Sequence, residues 1–433
     1  MLNMKNIKLF SIMMLVTVLL LAACSEDSSN ESSSDNNDGG KKEIEFWTMQ
    51  LKPTFTDYIE GVISDFEKEN PNISIKWVDV PAADLEKKIL SAVSSNTAPD
   101  VVNLNPTFGS KIAALDGLVN MDEALSDEQK SRYVQGAWKA NQLNGNTFAI
   151  PWYLNTEVTL NNKAIYEEAG LDPNKPPKTY EKAMEYAKTV KEETGKYGYY
   201  PSLDLSLVLQ HMVKMGADLT NEEGTKAAFN TQEGLNTFKY FTELYKNDLI
   251  PREALTGDQR ETIDMYSSGQ VGFFAGSNFI TQIKKNAPDV YDQTFASQSI
   301  TGKSGKVTLS VQNVVVPNQT KHQDAAVKFA LFLTNAKNQL AFTKLVPILP
   351  SAKSALDDPY FSELPEDATA TDQVRITAAN QLDKAEVLIP PMENYNKLKD
   401  AMHDAISAAM LEEMSPQEAL DQAEKEWNKI LSE

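Results

Sequence analysis

The fold of this chain turns on Asn144–Leu171, NGNTFAIPWYLNTEVTLNNKAIYEEAGL. Asn144-Gly145 is a turn signal, since both residues tolerate positive φ. An extended segment follows, with Trp152 and Tyr153 directly after Pro151. Val158 and Leu160 alternate as in a strand, a short helical pattern comes next, and Gly170 closes it. The stretch reads as the place where the chain leaves one α/β lobe and enters a second, with the two aromatics at the mouth of the cleft between them. Taken alone, it is equally compatible with both rings being ordinary core residues, so the rest of the chain must decide.

At 433 residues the chain exceeds one ordinary domain and suits two. Its 41 basic and 61 acidic residues leave a formal charge of −20. That balance argues against nucleic acid as a partner, because a phosphate backbone needs a basic face. Cys24 is the one cysteine, so no disulfide forms within a molecule.

Lys5 and Lys8 precede an apolar run, Leu9 to Ala23, that ends in Leu21-Ala22-Ala23-Cys24. The run is short for a membrane span and has the layout of a secretory signal. Leu-Ala-Ala-Cys resembles a bacterial lipobox, which implies cleavage before Cys24 and a diacylglycerol on its sulfur. Each buried CH₂ contributes roughly 0.8 kcal/mol, so two chains anchor stably. Ser25–Gly40, SEDSSNESSSDNNDGG, has no apolar residue and reads as a disordered tether reaching roughly 20 Å.

Beyond the tether, Glu43–Trp47 reads as a strand, Phe55–Glu69 as a helix stopped by Asn70-Pro71, and Ile73, Ile75 and Trp77 as a second strand. Asp84–Val93 has the spacing of a helix, and a third strand starts at Asp100. This β-α-β-α-β order predicts a parallel sheet, with ligands beyond the carboxyl ends of its strands. Helical spacing recurs at Tyr180–Val190, Leu203–Met215, Leu235–Tyr245, Asp258–Ser268, Gln323–Asn335, Tyr395–Met410 and Pro416–Leu431. Val271–Phe274 is strand-like and runs into Ala275-Gly276-Ser277-Asn278. That glycine turn either lets backbone approach a ligand or simply joins a strand to a helix. Val307–Val316 is a long strand or a strand pair.

In this order the segments resemble the extracellular solute-binding proteins of bacterial ABC importers, in the family that includes maltose- and multiple-sugar-binding proteins. The resemblance covers nearly the whole mature chain. Besides the lipobox and tether, it rests on IEFWT (Ile44–Thr48), EKENPNISI (Glu67–Ile75), TAPDVVNLN (Thr97–Asn105) and NGNTFAIPW (Asn144–Trp152). It continues in LNNKAIYEEAGLD with PPKTYEKAMEYAK, in MYSSGQVGFFAGSNF (Met265–Phe279) and in NVVVPNQTKHQDAAVKFALFLT (Asn313–Thr334).

The resemblance implies a two-lobed α/β fold of the periplasmic-binding-protein type II, each lobe a mixed, mostly parallel sheet flanked by helices. Three crossings would form the hinge, near Ile150–Asn155, Phe295–Ile300 and Leu345–Ser351. Residues 1–23 would be the signal, 24–42 the tether, 43–150 with 298–346 the first lobe, and 151–297 with 347–433 the second. Carried over by position, the ligand contacts would be Trp47, Gln50, Asn103, Asn105 and Phe108 from the first lobe. Trp152 and Asn155 would come from the crossing, and Asp204, Phe274, Ser277, Glu393 and Tyr395 from the second lobe. Alternation along the strand then turns Tyr153 toward the core.

The implied protein is a monomeric lipoprotein on the outer face of the cell membrane, passing a sugar or oligosaccharide to permease subunits. Aromatic rings suit the C–H faces of a sugar, and Asn, Gln, Asp and Glu suit its hydroxyls. No cofactor or metal is called for. The same architecture would also serve a peptide, a polyamine or a glycerol-phosphate solute. A secreted glycan-active enzyme is the remote alternative. It would need two carboxylates across a cleft, and the chain has no G-x-S-x-G or H-E-x-x-H signature. His211, His322 and His403 lie far apart in helical or capping contexts and read as structural.

Overall fold

The computed structural model describes residues 41–203, 207–256 and 259–433. The signal, residues 24–40 with Cys24, and Asp204 lie outside the described residues, whereas Lys42, expected at the end of the tether, opens the first strand. Among the described residues thirteen strands succeed one another. The first three are β1 (Lys42–Met49), β2 (Ile73–Val80) and β3 (Val101–Leu104). The hairpin β4 (Gln142–Leu143) and β5 (Asn146–Thr147) is followed by β6 (Ile150–Thr156) and β7 (Val158–Asn162). Next come β8 (Tyr197–Tyr200), β9 (Val271–Ala275), β10 (Thr294–Gln298) and β11 (Val307–Val315), and last β12 (Leu349–Pro350) and β13 (Ala385–Glu386).

The expected parallel unit is present. β1 pairs in parallel with β2 and with β3, and the helices Thr56–Glu69 and Ala82–Ser94 are the crossovers. Asn144 and Gly145 both take positive φ, 51° and 82°, which is what a two-residue hairpin turn demands. Val307–Val315 is one strand rather than a pair.

Two sheets result. The larger runs β12-β6-β11-β3-β1-β2, with β13 joined to β11, and the smaller runs β10-β7-β9-β8. Alternation along β1 sends Ile44 and Phe46 into the apolar cluster on one face of the larger sheet and Trp47 into the cluster on the other. The second core surrounds the smaller sheet and takes in the C-terminal helices Tyr395–Met410 and Pro416–Leu431. There Trp427 is fully buried and donates its indole N–H to the Leu398 carbonyl.

β6 and β11 belong to both cores. Ile150 and Trp152 pack in the first and Leu154 in the second; Val307, Leu309 and Val311 pack in the second and Val314 in the first. A return of the chain to the first lobe is expected at residue 298. Ile300 and the start of β11 stay with the second core, and the chain rejoins the first inside the strand.

The two strands pair antiparallel, with a register shift between Gln312 and Asn313 opposite Tyr153 and Pro151. Pro151 has no N–H to give a ladder, so an irregularity here costs little. Its carbonyl accepts from Ser351 Oγ at 2.6 Å, which ties Ser351 to β6, and Gln339 accepts from Ser351 N at 2.5 Å.

Trp152 is 0% exposed and stacks on Phe342 at 5.5 Å between ring centroids. It also meets Phe46 and Tyr153. Trp152→Ala should therefore cost about 3–5 kcal/mol of stability through lost burial and a cavity. Urea unfolding of the variant against wild type measures it.

Candidate functional site

A cavity of about 750 Å³ opens where the β6–β11 ribbon meets the smaller sheet. Its floor follows from strand alternation. On β6 the side chains of Tyr153 and Asn155, and of Glu157 just beyond, fall on one face; Trp152, Leu154 and Thr156 are buried on the other. On β11 the matching set is Thr308, Ser310 and Gln312. Register sets Ser310 opposite Asn155 and Gln312 opposite Tyr153, while Glu157 N donates to Thr308 O. The second core adds Tyr199, Tyr200 and Ser202 at the end of β8, Gln210 and His211 on the helix Leu207–Met215, and Arg260. The glycine turn contributes Gly276, Ser277, Asn278 and Phe279.

The expected contacts divide sharply. Asn155 and Ser277 line the cavity and touch each other, with the Ser277 hydroxyl 3.1 Å from Asn155 Oδ1. Trp152 does not line it, and Tyr153 does, so the two exchange the roles expected of them. Phe274 is fully buried; its neighbour Phe279, stacked on it at 6.4 Å, reaches the cavity instead. A Cβ at Gly276 would fall 2.3 Å from the Phe274 ring, so ring packing requires that glycine.

Trp47 is core, with its indole N–H given to Glu45 at 2.6 Å. Gln50 is exposed beyond β1 and accepts from Ala82 N at 3.4 Å. Asn105 caps the helix Pro106–Ala113 by accepting from Phe108 N, and the Phe108 ring lies under Lys111. Asn103 is fully buried behind Gln312. Glu393 is exposed, and Tyr395 packs against the second core. None of these seven lines the cavity. They sit at strand ends and loops where an open sheet would bind, whereas the cavity lies along the flank of the ribbon.

Several lining residues were missed, Glu157, Gln210, His211, Tyr199 and Gln312 among them. A signal existed for β11: Thr308, Ser310 and Gln312 alternate with Val307, Leu309 and Val311, the period of a half-buried strand. Among the described residues no group of three His, Cys, Asp or Glu is placed to hold a metal, and no helix is long and apolar enough to cross a membrane.

Residues 52–340 match the model of the bacterial extracellular solute-binding proteins. The chain belongs to this family. As a solute-binding protein it is 25% identical over 389 residues to a diacetylchitobiose-binding protein of Streptomyces coelicolor, covering 87% of each chain. It is 23% identical over 374 residues to a galactooligosaccharide-binding protein of Bacillus subtilis, covering 84% of each. A periplasmic-binding protein of Synechococcus sp. MITs9220 superposes with a TM-score of 0.82 at 33% identity, over 90% of this chain and 99% of that one. The two-lobed fold is thus shared with solved solute-binding proteins.

Under the cavity of this solute-binding protein lies a buried ion pair. Lys214 Nζ is 2.5 Å from Glu157 Oε1 and 3.1 Å from Ser299 Oγ, and the Ser299 hydroxyl donates to the same carboxylate oxygen. Burial pushes the Glu157 carboxyl up, but the charge and hydrogen bonds of Lys214 and the Ser299 hydroxyl outweigh it and hold it below the usual range. Gln381 donates to the Glu157 carbonyl, which binds the network to the end of β6. Next to it, burial and the Lys214 charge pull the His211 imidazole down to about 4, and Tyr180 hydrogen-bonds its Nδ1 at 2.7 Å. His211 is thus a neutral ring at neutral pH.

The sign of the pH dependence follows. Between about 6.5, where the unfolded imidazole titrates, and about 4, where the folded one does, the unfolded chain binds the extra proton. Stability from this group is complete above 6.5 and falls on acidification, by about 1.4 kcal/mol per pH unit. The lowered Glu157 acts in the same direction at more acid pH. Urea unfolding at pH 7, 6 and 5 should show this slope in the wild type, and His211→Gln should lack that part of it.

Proposed function

We propose that this chain is the extracellular solute-capturing component of an ABC importer, that its solute is a sugar or oligosaccharide, and that a lipid on Cys24 holds it at the membrane. The carrying observation is the cavity itself. Its volume of about 750 Å³ suits a small organic solute. Its wall combines aromatic rings (Tyr153, Tyr199, Tyr200, Phe279) with amides and hydroxyls (Asn155, Gln210, Gln312, Ser310, Asn278). Rings cover the C–H faces of a pyranose and the polar groups answer its hydroxyls. Relatives named for diacetylchitobiose and galactooligosaccharides support the same solute class.

The ribbon also supports a mechanism of delivery. β6 and β11 pass through both cores beside the cavity, so a small change in their bend rotates one core against the other. A solute touching both sides favours the closed arrangement, and the permease would read that arrangement. Among the described lining residues Glu157 is the one carboxylate, and it is already committed to Lys214, which suits binding rather than acid–base chemistry.

A thermal-shift screen of the mature protein over glycans, oligopeptides and polyamines tests the solute class. At a concentration about a hundredfold above Kd, mass action adds about 2.7 kcal/mol to stability. A glycan should raise the melting temperature; a response confined to peptides or polyamines would sink the sugar assignment, and new reducing ends on incubation would make the protein an enzyme. For the anchor, Cys24→Ser should release the protein from membranes or leave its signal uncut. Unchanged membrane attachment of that variant refutes lipidation.

A further inference from the structure

The cavity's amides are not neutral in hydrogen-bond sense. Asn103 is fully buried, and its Nδ2 donates to the Asn313 backbone carbonyl at 3.1 Å. A backbone carbonyl can only accept, so this bond sets which end of the Asn103 amide is nitrogen. The same Nδ2 has a second hydrogen, and it goes to Gln312 Oε1 at 3.3 Å. The Gln312 amide is thereby oriented too. Its oxygen is taken from behind, and its Nε2, from which no described residue accepts, is the end left for a solute.

The neighbouring amides are disposed alike. Asn155 Oδ1 lies 3.1 Å from the Ser277 hydroxyl, and Gln210 Oε1 lies 3.2 Å from the Thr308 hydroxyl. Glu157, the carboxylate of the floor, has Oε1 occupied by both Lys214 and Ser299. Among the described residues each of these three oxygens thus meets a protein hydroxyl or ammonium, whereas Gln312 Nε2 meets no acceptor.

A donor so oriented discriminates. A sugar hydroxyl bound here can accept, but it brings a proton of its own that then needs an acceptor. A buried donor left unmatched costs about 1–3 kcal/mol. An oxygen that carries no proton, as in an acetamido carbonyl or a carboxylate, uses the donors without that penalty.

We infer that the β6–β11 floor, with Gln312 held as a donor by Asn103, recognises a proton-free oxygen on the solute: the carbonyl of an N-acetylated sugar or the carboxylate of a uronic acid. Asn103 is a positioning residue that acts through Gln312. The inference rests on the sugar-binding reading and names the kind of sugar.

The test is calorimetric titration of the mature protein with glycans matched in linkage and length. Plain-hydroxyl oligosaccharides of the gluco and galacto series are compared with their N-acetylated and uronate counterparts, which also separates the two oxygen sources. A substituted series should bind at least about tenfold more tightly than its plain counterpart. Gln312→Glu, which keeps the shape but turns an acceptor to the solute, should remove that preference. Asn103→Ala should reduce it by freeing the amide to turn. The readout is a ratio of affinities in folded protein, so loss of stability alone does not mimic the effect. A plain glycan of any linkage bound more tightly than every substituted one overturns the inference while leaving sugar binding intact, as does an unchanged ratio in Gln312→Glu. Binding of no glycan at all overturns both.

Discussion

The antiparallel ribbon of β6 and β11 is the constraint on which the rest depends. It is the one pair of strands shared by both cores, and its side chains must alternate. One face carries Tyr153, Asn155 and Glu157 beside Thr308, Ser310 and Gln312; the other buries Trp152, Leu154 and Thr156. A shift of one residue would bury the polar set and expose the indole. Burial of Trp152 against Phe342 and Phe46 thus sets the phase of the strand, and the phase sets the cavity.

Below that face, Glu157 and Lys214 show why the floor is rigid on one side. A buried ion pair adds little net stability over apolar packing, but either partner alone would be an unmatched buried charge. The pair, with Ser299 and Gln381, therefore specifies one arrangement of the end of β6 against the helix Leu207–Met215. Toward the first core the ribbon's register shifts between Gln312 and Asn313, opposite Tyr153 and Pro151. The network also leaves its carboxylate with little to offer a solute, which shifts recognition to the amides above it.

Much of the architecture was legible in local patterns. Helical spacing located Tyr395–Met410 and Pro416–Leu431, and β-α-β-α-β order implied the parallel start of the larger sheet. The candidate site was legible only in part. Asn155 and Ser277 line the cavity, but Trp152 and Asn155 lie three residues apart on one strand and cannot share a face. Choosing both as contacts contradicted the alternation used to turn Tyr153 inward. Residues chosen at strand ends, such as Trp47 and Asn105, are structural: one is core and the other caps a helix.

The sequence by itself determined the order of elements, the family and the polar–apolar period of β11, because these depend on neighbours along the chain. Tertiary structure alone decided which of Trp152 and Tyr153 meets the cavity, since either phase of β6 satisfies the local pattern and only packing against Phe342 selects one. It also decided that Glu157 shares one buried network with His211 and Lys214, which sit on a helix more than fifty residues further along the chain, Lys214 being 57 residues away. And it turned Asn103 from an expected contact into the residue that orients Gln312, because a side-chain amide acquires a direction only when a backbone carbonyl from another strand claims its nitrogen.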